Sequence, residues 1–516
     1  MKKNIIWILC DSVRVYKTDS DERGRLDVMD TFAKESVDFR TAVTSAPSTV
    51  MSISSMITGI PAPYQSMSYN DFSFLDGEID SFPNILREKA GYDTYGMFFW
   101  PDGRNFLGPI WGDRCEEYWD EDLKNRRNEF WSNDDQINLF KRFIKDRSSN
   151  SKPFFSWLHL NCRNDTDLSQ KVDRLFTYLK SNNLWDDYII VLNSDHGYPD
   201  VNRGISYYDK QKFGHDLIMS DDNILAPQLL KLPGVTPSRV DEVISTLDIA
   251  PTILDYLGLN ENWDLSKYVG SGRSLFKNLK RGTVDHKDFC RVDNRFLFQR
   301  NGVSVLRNNR YKYIKYVDEN REEFYDISLD EFEKNNSILN PEYFKTIELF
   351  RDEYINQNNE IINFHVSRIS KIIDSMNIEK SKAYFIGDNT LNFCITTRGI
   401  NKLNKLSVDS NLNKLNNINE FKNFIIGLIN YKDLNKNETI NLFVFPVSKD
   451  HHLNRLLERN SKSLKINGVK IHIVDYNFNY IENTRTVLLR KIYSKPKVYY
   501  YKFKHDPKTA FINLFL

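Results

Sequence analysis

The sequence predicts an α/β fold: a mostly parallel sheet covered by helices on both faces, followed by a smaller C-terminal α/β, Rossmann-like domain. Three observations lead there. Two continuous apolar runs of strand length, Asn4 to Cys10 and Tyr188 to Asn193, stop abruptly at polar residues, as parallel strands buried on both faces do. Such runs alternate with amphipathic stretches at Asp80 to Ala90 and Gln136 to Arg147, the rhythm of strands joined by crossover helices. Beyond a long helical stretch at 342–376, strand-like runs recur at 441–447 and 469–476.

Length and composition set the frame for these elements. A chain of 516 residues with 40% hydrophobic and 13% aromatic content can bury the cores of two or three domains. Asn335-Asn336 to Pro341 reads as a boundary, which divides the chain into a large domain at 1–340, a helical linker at 341–380 and a small basic α/β domain at 381–516. The formal net charge is +1, yet residues 381–516 hold 22 Lys and Arg against 10 Asp and Glu. This asymmetry separates an acidic large domain from a basic small one, in keeping with the lysine- and asparagine-rich composition of the latter. No basic-aromatic motif for nucleic acid is present, so nucleic acid is not expected as a partner. Segment 100–135, rich in Trp, Asp and Arg, reads as a long insertion near the site. Gly387 follows a strand-like run but no Gly-x-Gly-x-x-Gly accompanies it, which favours a structural or substrate-recruiting role over cofactor binding. His451 and His452 read as exposed loop residues, and no internal repeat is found.

The chemistry concentrates in three places. The first run ends in Asp11, where the carboxyl end of a strand in an open α/β sheet would meet a metal or a phosphate. The second ends in Asn193-Ser194-Asp195-His196-Gly197, which offers one hard oxygen and one nitrogen ligand before a glycine that permits a tight turn. Between them lies a dense hydroxyl run, Thr41 to Gly59, in which Thr49, Ser52, Ser55 and Thr58 recur at every third position. A hydroxyl at the mouth of a helix there would face unpaired backbone N–H groups able to hold an anionic ester oxygen.

These residues, in this order, resemble the alkaline phosphatase and sulfatase superfamily over roughly the first 340 residues. Asp195-His196-Gly197 resembles the family's Ser-Asp-His-Gly metal motif, and Asp11 its first ligand strand. Downstream, Phe213-Gly214-His215, the Ala226-Pro227 to Pro233-Gly234 strand, the Asp248-x-x-Pro251-Thr252 helix and Gly272-Arg273-Ser274-Leu275 are each similar to family segments. Arg310 to Ile314 and Glu323 to Asp326 resemble the domain's closing strands. The resemblance implies an alkaline-phosphatase-like fold and a metal-dependent hydrolase or transferase of phosphate or sulfate esters.

The register of the nucleophile separates the branches of that superfamily. Sulfatases carry a Cys or Ser that is oxidised to formylglycine in a Cys-x-Pro-Ser-Arg motif, ten positions before the glycine of the closing Thr-Gly. Counting back from Gly59 reaches Thr49, with Ser52 at the motif's serine and Ile53 where arginine belongs. A rival register places Ser45 at the nucleophile, because Ala46-Pro47-Ser48 imitates x-Pro-Ser. Threonine cannot become formylglycine, so the set Asp11, Thr49, Asp195 and His196 resembles the single-metal site of lipoteichoic acid synthases and phosphoethanolamine transferases. The implied roles follow. Asp11, Thr49, Asp195 and His196 bind one divalent metal, with Mn or Zn favoured and Mg or Ca admitted. Thr49 forms a covalent phosphothreonine, and His215 binds the ester oxygens or protonates the leaving group. Ser52, Lys212 and Asn164 are placed at the substrate, with Lys210 a further basic neighbour. Asn164 stands where the family strand would supply a histidine. His159, by strand alternation, is expected to point into the sheet packing.

The short apolar run after Lys2-Lys3 lacks a small-residue cleavage site, and no stretch of about 18 apolar residues is present, so neither a signal peptide nor a membrane span is expected. Five cysteines without paired spacing suit a reducing cytoplasm. A cytoplasmic enzyme of this kind would handle an intracellular precursor or act at the inner face of a membrane. The leading reading is a phosphoesterase or phosphotransferase of a phosphorylated glycan, alcohol or lipid head group. The alternatives are a sulfuric ester hydrolase and a degenerate, non-catalytic binding protein of a surface-polysaccharide pathway. The oligomeric state is not set by the sequence.

Overall fold

The computed structural model describes residues 3–17, 23–65, 79–98, 116–117, 132–147, 152–162, 166–200, 217–294, 302–316 and 321–375, together with short strands further on. The chain divides into two compact units, Met1–Glu360 and Ile361–Leu516. In chain order the first unit begins with β1 (Ile5–Cys10), α1 (Asp27–Phe32), β2 (Val37–Phe39), β3 (Ala42–Val43), α2 (Thr49–Thr58), α3 (Phe82–Ala90), β4 (Asp93–Phe98) and β5 (Glu116–Glu117). It continues with α4 (Asn133–Arg147), β6 (Phe154–Leu160), α5 (Leu168–Ser181), β7 (Ile189–Asn193), α6 (Asp221–Ile224), β8 (Gln228–Lys231), β9 (Ser238–Val240) and β10 (Ile244–Ser245). After α7 (Ile249–Tyr256) and α8 (Phe276–Leu279) come β11 (Cys290–Asp293), β12 (Val303–Arg307), β13 (Tyr311–Tyr316) and β14 (Arg321–Asp326), then the long helix α9 (Phe344–Ser375).

The main sheet has the order β5-β4-β6-β1-β7-β8-β2-β9. Its pairings are parallel except where β8 meets β7 and β2. The strand β1 lies between β6 and β7 with every residue buried, because alternate side chains face helices on opposite sides. Ile6, Ile8 and Cys10 share one core with residues of α1, α4 and α5. Trp7 points the other way, 5.2 Å from the Trp157 ring and 5.9 Å from Phe82 of α3.

Polar side chains buried beneath the strand tips are satisfied in series. The Trp7 indole N–H donates to Asn193 Oδ1 at 3.0 Å, Asn193 Nδ2 donates to Gln228 Oε1 at 2.9 Å, and Gln228 Nε2 donates to the Ser194 carbonyl at 2.8 Å. This chain fixes the antiparallel β8 against β7 and holds the polypeptide at the point where β7 ends.

A second, antiparallel sheet β11-β12-β13-β14 closes the first unit, with Leu306, Tyr313 and Phe324 packed on Ile347 and Phe350 of α9. The second unit carries a five-stranded sheet. Its strands are β15 (Ala383–Ile386), β16 (Asn404–Ser407), β17 (Ile440–Val444), β18 (Val469–Val474) and β19 (Tyr480–Ile481), in the order β16-β15-β17-β18-β19. All its pairings are parallel except β18 with β19.

Candidate metal and nucleophile site

The site is assembled where two adjacent parallel strands end. Leu9 of β1 lies in register with Asn193 of β7, so Asp11 and Asp195, each two residues on, leave the sheet side by side. Ser12 turns into the left-handed region at φ 60°, and its N–H donates to Asp195 Oδ1 at 3.0 Å. The next N–H, that of Val13, donates to Ser194 Oγ at 2.8 Å, and Ser194 Oγ donates to the His196 carbonyl at 2.7 Å. The two strand tips are thus stitched to each other.

The turn after His196 depends on close backbone contact. A Cβ on Gly197 would lie 2.1 Å from the Asp222 carbonyl oxygen, while the Gly197 N–H donates to the Asn223 carbonyl at 2.9 Å. Only glycine admits this approach. The buried Arg14 guanidinium donates to the carbonyls of Tyr198 at 2.6 Å and Pro199 at 3.0 Å, which fastens the outgoing chain to the loop after β1.

Helix α2 brings the hydroxyl run to the same place. From Ala42 to Gln65 every residue is buried except Thr49, the first residue of the helix. Its Oγ1 lies 3.4 Å from His196 Nε2. Ser45, the rival nucleophile position, is fully buried and its hydroxyl accepts the Ala62 N–H at 3.0 Å. Ser52, expected at the substrate, is placed otherwise. It is fully buried one turn further along α2, and its hydroxyl donates to the Asp195 carbonyl at 2.6 Å, with Thr44 Oγ1 2.9 Å from the same carbonyl. Its physical role is to brace the backbone of the Asp195 segment.

Asp11, Asp195 and His196 present ligand atoms that all lie within 4.8 Å of one another. Nδ1 of His196 lies 2.7 Å from the Gly197 carbonyl, to which it must donate, so in the neutral ring Nε2 presents a lone pair. Asp195 Oδ2 sits 3.5 Å from that nitrogen, buried and without a hydrogen-bond partner. Two electron-rich atoms facing each other out of water are unfavourable unless a cation lies between them, so the donor set fits a metal. Burial acts to raise the Asp11 pKa. The hydrogen bonds from His159 and from the Ser12 hydroxyl oppose it, and the carboxyl is held well below the usual range. Burial pushes the thiol of Cys162, beside Cys10, well up, which keeps it protonated and unsuited to ligation.

The placement of His159 departs from expectation. It is fully buried, yet its Nε2 lies 3.3 Å from Asp11 Oδ2. Alternation along β6 alone does not fix which face it occupies; the register with β1 does. His159 pairs with Leu9, and Asp11, two residues beyond Leu9, emerges on the same face. Thr44, Ser194 and Arg14 also escaped the sequence reading, although the first two belong to hydroxyl-bearing motifs noted there. His215, Lys212, Lys210 and Asn164 lie outside the described residues, as does most of segment 100–135.

Fold and strand-tip site together define an alkaline-phosphatase-like α/β protein. The Sulfatase family model matches residues 3–165 and 162–259, so the first unit carries a domain of the sulfatase and alkaline phosphatase-like superfamily. It is 28% identical over 209 residues to a Delta 4,5-hexuronate-2-O-sulfatase of Bacteroides thetaiotaomicron, covering 37% of this chain and 40% of that one. It is 29% identical over 128 residues to lipoteichoic acid synthase 2 of Bacillus subtilis, covering 23% of this chain and 18% of the relative. The chain therefore spans less than half the length of these curated relatives. Among solved structures, the phosphonate monoester hydrolase of Agrobacterium radiobacter shares the fold with a TM-score of 0.53 at 14% identity, over 70% of this chain and 96% of that one.

Proposed function

We propose that this protein is a metal-dependent phosphoesterase or phosphotransferase that works through a covalent phosphothreonine at Thr49. Its substrate class is a phosphorylated glycan, alcohol or lipid head group. The observation that carries this reading is Thr49, the one residue between Ala42 and Gln65 that is half-buried while the rest are buried, with its Oγ1 3.4 Å from His196 Nε2. Asp11, Asp195 and His196 would hold one divalent ion with Thr49 as a further donor, a set of hard oxygens and one nitrogen that suits Mn or Zn and admits Mg or Ca. Such an ion, when bound, supplies charge that offsets the phosphoryl oxygens and lowers the pKa of the Thr49 hydroxyl.

Thr49 Oγ1 then loses its proton to solvent and bonds to phosphorus as the ester P–O bond breaks. The leaving oxygen takes a proton, for which His215 is the candidate donor. Water or an acceptor hydroxyl next attacks the phosphothreonine, its own proton departs, and Thr49 is released. First-turn N–H groups of α2 lack intrahelical acceptors and favour an anion at this end of the helix. Lys212 and Asn164 stay as candidate substrate contacts. An intracellular setting suits the free thiols of Cys10, Cys162 and Cys290. Among the described residues no helix is long and apolar enough to cross a membrane.

One observation favours sulfate esters instead: the 28% identity to a 2-O-sulfatase. Against it, oxidation of a threonine gives a ketone and not the aldehyde of formylglycine. The test is turnover of para-nitrophenyl phosphate, bis-para-nitrophenyl phosphate and para-nitrophenyl sulfate with added Mn²⁺, combined with mass spectrometry of the peptide that carries residues 41–59. Phosphate-ester turnover with phosphate trapped on Thr49 is the expected result. Turnover confined to the sulfate ester, with an oxidised Ser45, would replace this reading with a sulfatase. No turnover and no metal uptake would favour the binding-protein alternative.

A further inference from the structure

We propose that His159 is a positioning residue for Asp11: from the neighbouring strand it donates a hydrogen bond that fixes the carboxylate for metal binding. This inference rests on the metal reading of the site. Asp11 is reached by two side chains, one on each oxygen. The Ser12 hydroxyl donates to Oδ1 at 2.6 Å, and His159 Nε2 lies 3.3 Å from Oδ2. A carboxylate only accepts, so Nε2 must carry the proton of that contact. Each oxygen keeps a further lone pair for a cation, while rotation of the carboxylate about its Cβ–Cγ bond is opposed from both sides.

The location of the imidazole supports a role exerted through Asp11. His159 lies inside β6, where every residue is buried, and it has no exposed surface from which to touch a substrate. The group of donors within 4.8 Å of one another comprises Asp11, Asp195 and His196 and stops short of His159. A buried imidazole at a sheet position that would otherwise take an apolar residue is unfavourable unless its polar atoms are used. Here the strand register aims one of them at the first predicted ligand. Groups that orient a ligating carboxylate in this way typically alter metal affinity by about 10–100-fold when removed.

The experiment measures Mn²⁺ affinity of the full chain by titration calorimetry, with the electron paramagnetic resonance signal of free Mn²⁺ as a second readout. It compares wild type with His159→Leu, His159→Gln and His159→Asn, each checked for folding by circular dichroism in chelator. His159→Leu is expected to weaken Mn²⁺ binding by about 10–100-fold. His159→Gln, whose amide reaches about as far as Nε2, is expected to recover most of that loss, and the shorter His159→Asn is not. The Gln and Asn pair decides the matter even if the Leu variant fails to fold. If wild type binds Mn²⁺ and all three variants bind it equally well, or Gln fares no better than Asn, the positioning role is overturned while the metal site stands. If wild type takes up no Mn²⁺, the site reading itself falls and this inference with it.

Discussion

Two groups of buried and half-buried carboxylates in the first unit are treated in opposite ways by the fold. Asp221, at the start of α6, meets Arg307 Nη2 at 3.1 Å and Lys312 Nζ at 3.0 Å, and Lys312 also pairs with Glu333. Its backbone N–H donates to Glu333 Oε2 at 2.8 Å, and the two acids of this cluster face the two cations Arg307 and Lys312. At the strand tips, Asp11 and Asp195 meet only hydroxyls, backbone N–H groups and two imidazoles, with no Lys or Arg paired to either among the described residues. Asp195 Oδ2 has no hydrogen-bond partner at all. A buried acid that is neutralised internally serves the fold, and one left short of positive charge is fitted to take a cation from outside.

Substitutions in the two clusters should therefore separate function from stability. The largest effects fall on turnover: Thr49→Ala and Asp195→Asn should each lower phosphate-ester hydrolysis about a thousandfold or more, Thr49→Ala by removing the attacking oxygen. Asp195→Asn should also lose bound metal by elemental analysis, yet unfold in chelator at the same urea concentration as wild type or a higher one. The reason is that an unpartnered carboxylate oxygen is exchanged for an amide. Full activity in Thr49→Ala together with its loss in Ser45→Ala would reverse the register of the nucleophile. Next in size, Asp221→Asn should lower unfolding free energy by about 3–5 kcal/mol in urea melts, because Arg307 and Lys312 are left buried without their shared acid. Its metal content should not change. If Asp221→Asn lost metal while keeping wild-type stability, the contrast between the clusters would be wrong.

The residues that converge at the candidate site were easier to read from the sequence than their surroundings, for a physical reason. Asp11, Asp195 and His196 stand at the abrupt ends of apolar strands, and Thr49 at the start of a helix, so each announces itself within a few residues of local pattern. Strands that are buried on both faces also made the parallel character of the central sheet readable. What stayed hidden depends on pairing between distant segments. His159 could be placed only once β6 was registered against β1, and the antiparallel entry of β8 only through the Asn193 to Gln228 hydrogen bond. Ser52 resembled a substrate contact because a helix of hydroxyls does not say which of them faces inward. The Asp221 cluster joins residues 86 and 91 positions apart, beyond any local motif.

A smaller effect sharpens the same contrast by adding the cation. Binding to the folded state alone stabilises it by about 2.7 kcal/mol at a hundredfold excess over the dissociation constant. Mn²⁺ should accordingly raise the melting temperature of wild type, measured by scanning calorimetry, and chelator should reverse the rise. The shift should persist in Asp221→Asn, from that variant's lower baseline, and vanish in Asp195→Asn. A shift of equal size in Asp195→Asn would place the ion elsewhere.

The smallest expected effect is a dependence of stability on pH that belongs to the neutralised cluster. Burial, with the nearby Asp221 charge adding to it and Lys312 opposing it, raises the Glu333 carboxyl from its ordinary 4.5 to about 7. Between those values the folded protein holds a proton on Glu333 that the unfolded chain has released, so stability falls as pH rises. The contribution is complete below about 4.5 and is lost as pH passes through about 7. Asp221 shifts the other way: burial would raise it, but Arg307 and Lys312 prevail and hold it well below the usual carboxylate range, so its share is lost only in strong acid. Urea melts of wild type between pH 5 and 8 should therefore show declining stability, and Glu333→Gln, which cannot titrate, should flatten that decline. An undiminished slope in Glu333→Gln would assign the titration to a different group and leave Lys312 sharing its charge with Asp221 and Glu333 across the whole range.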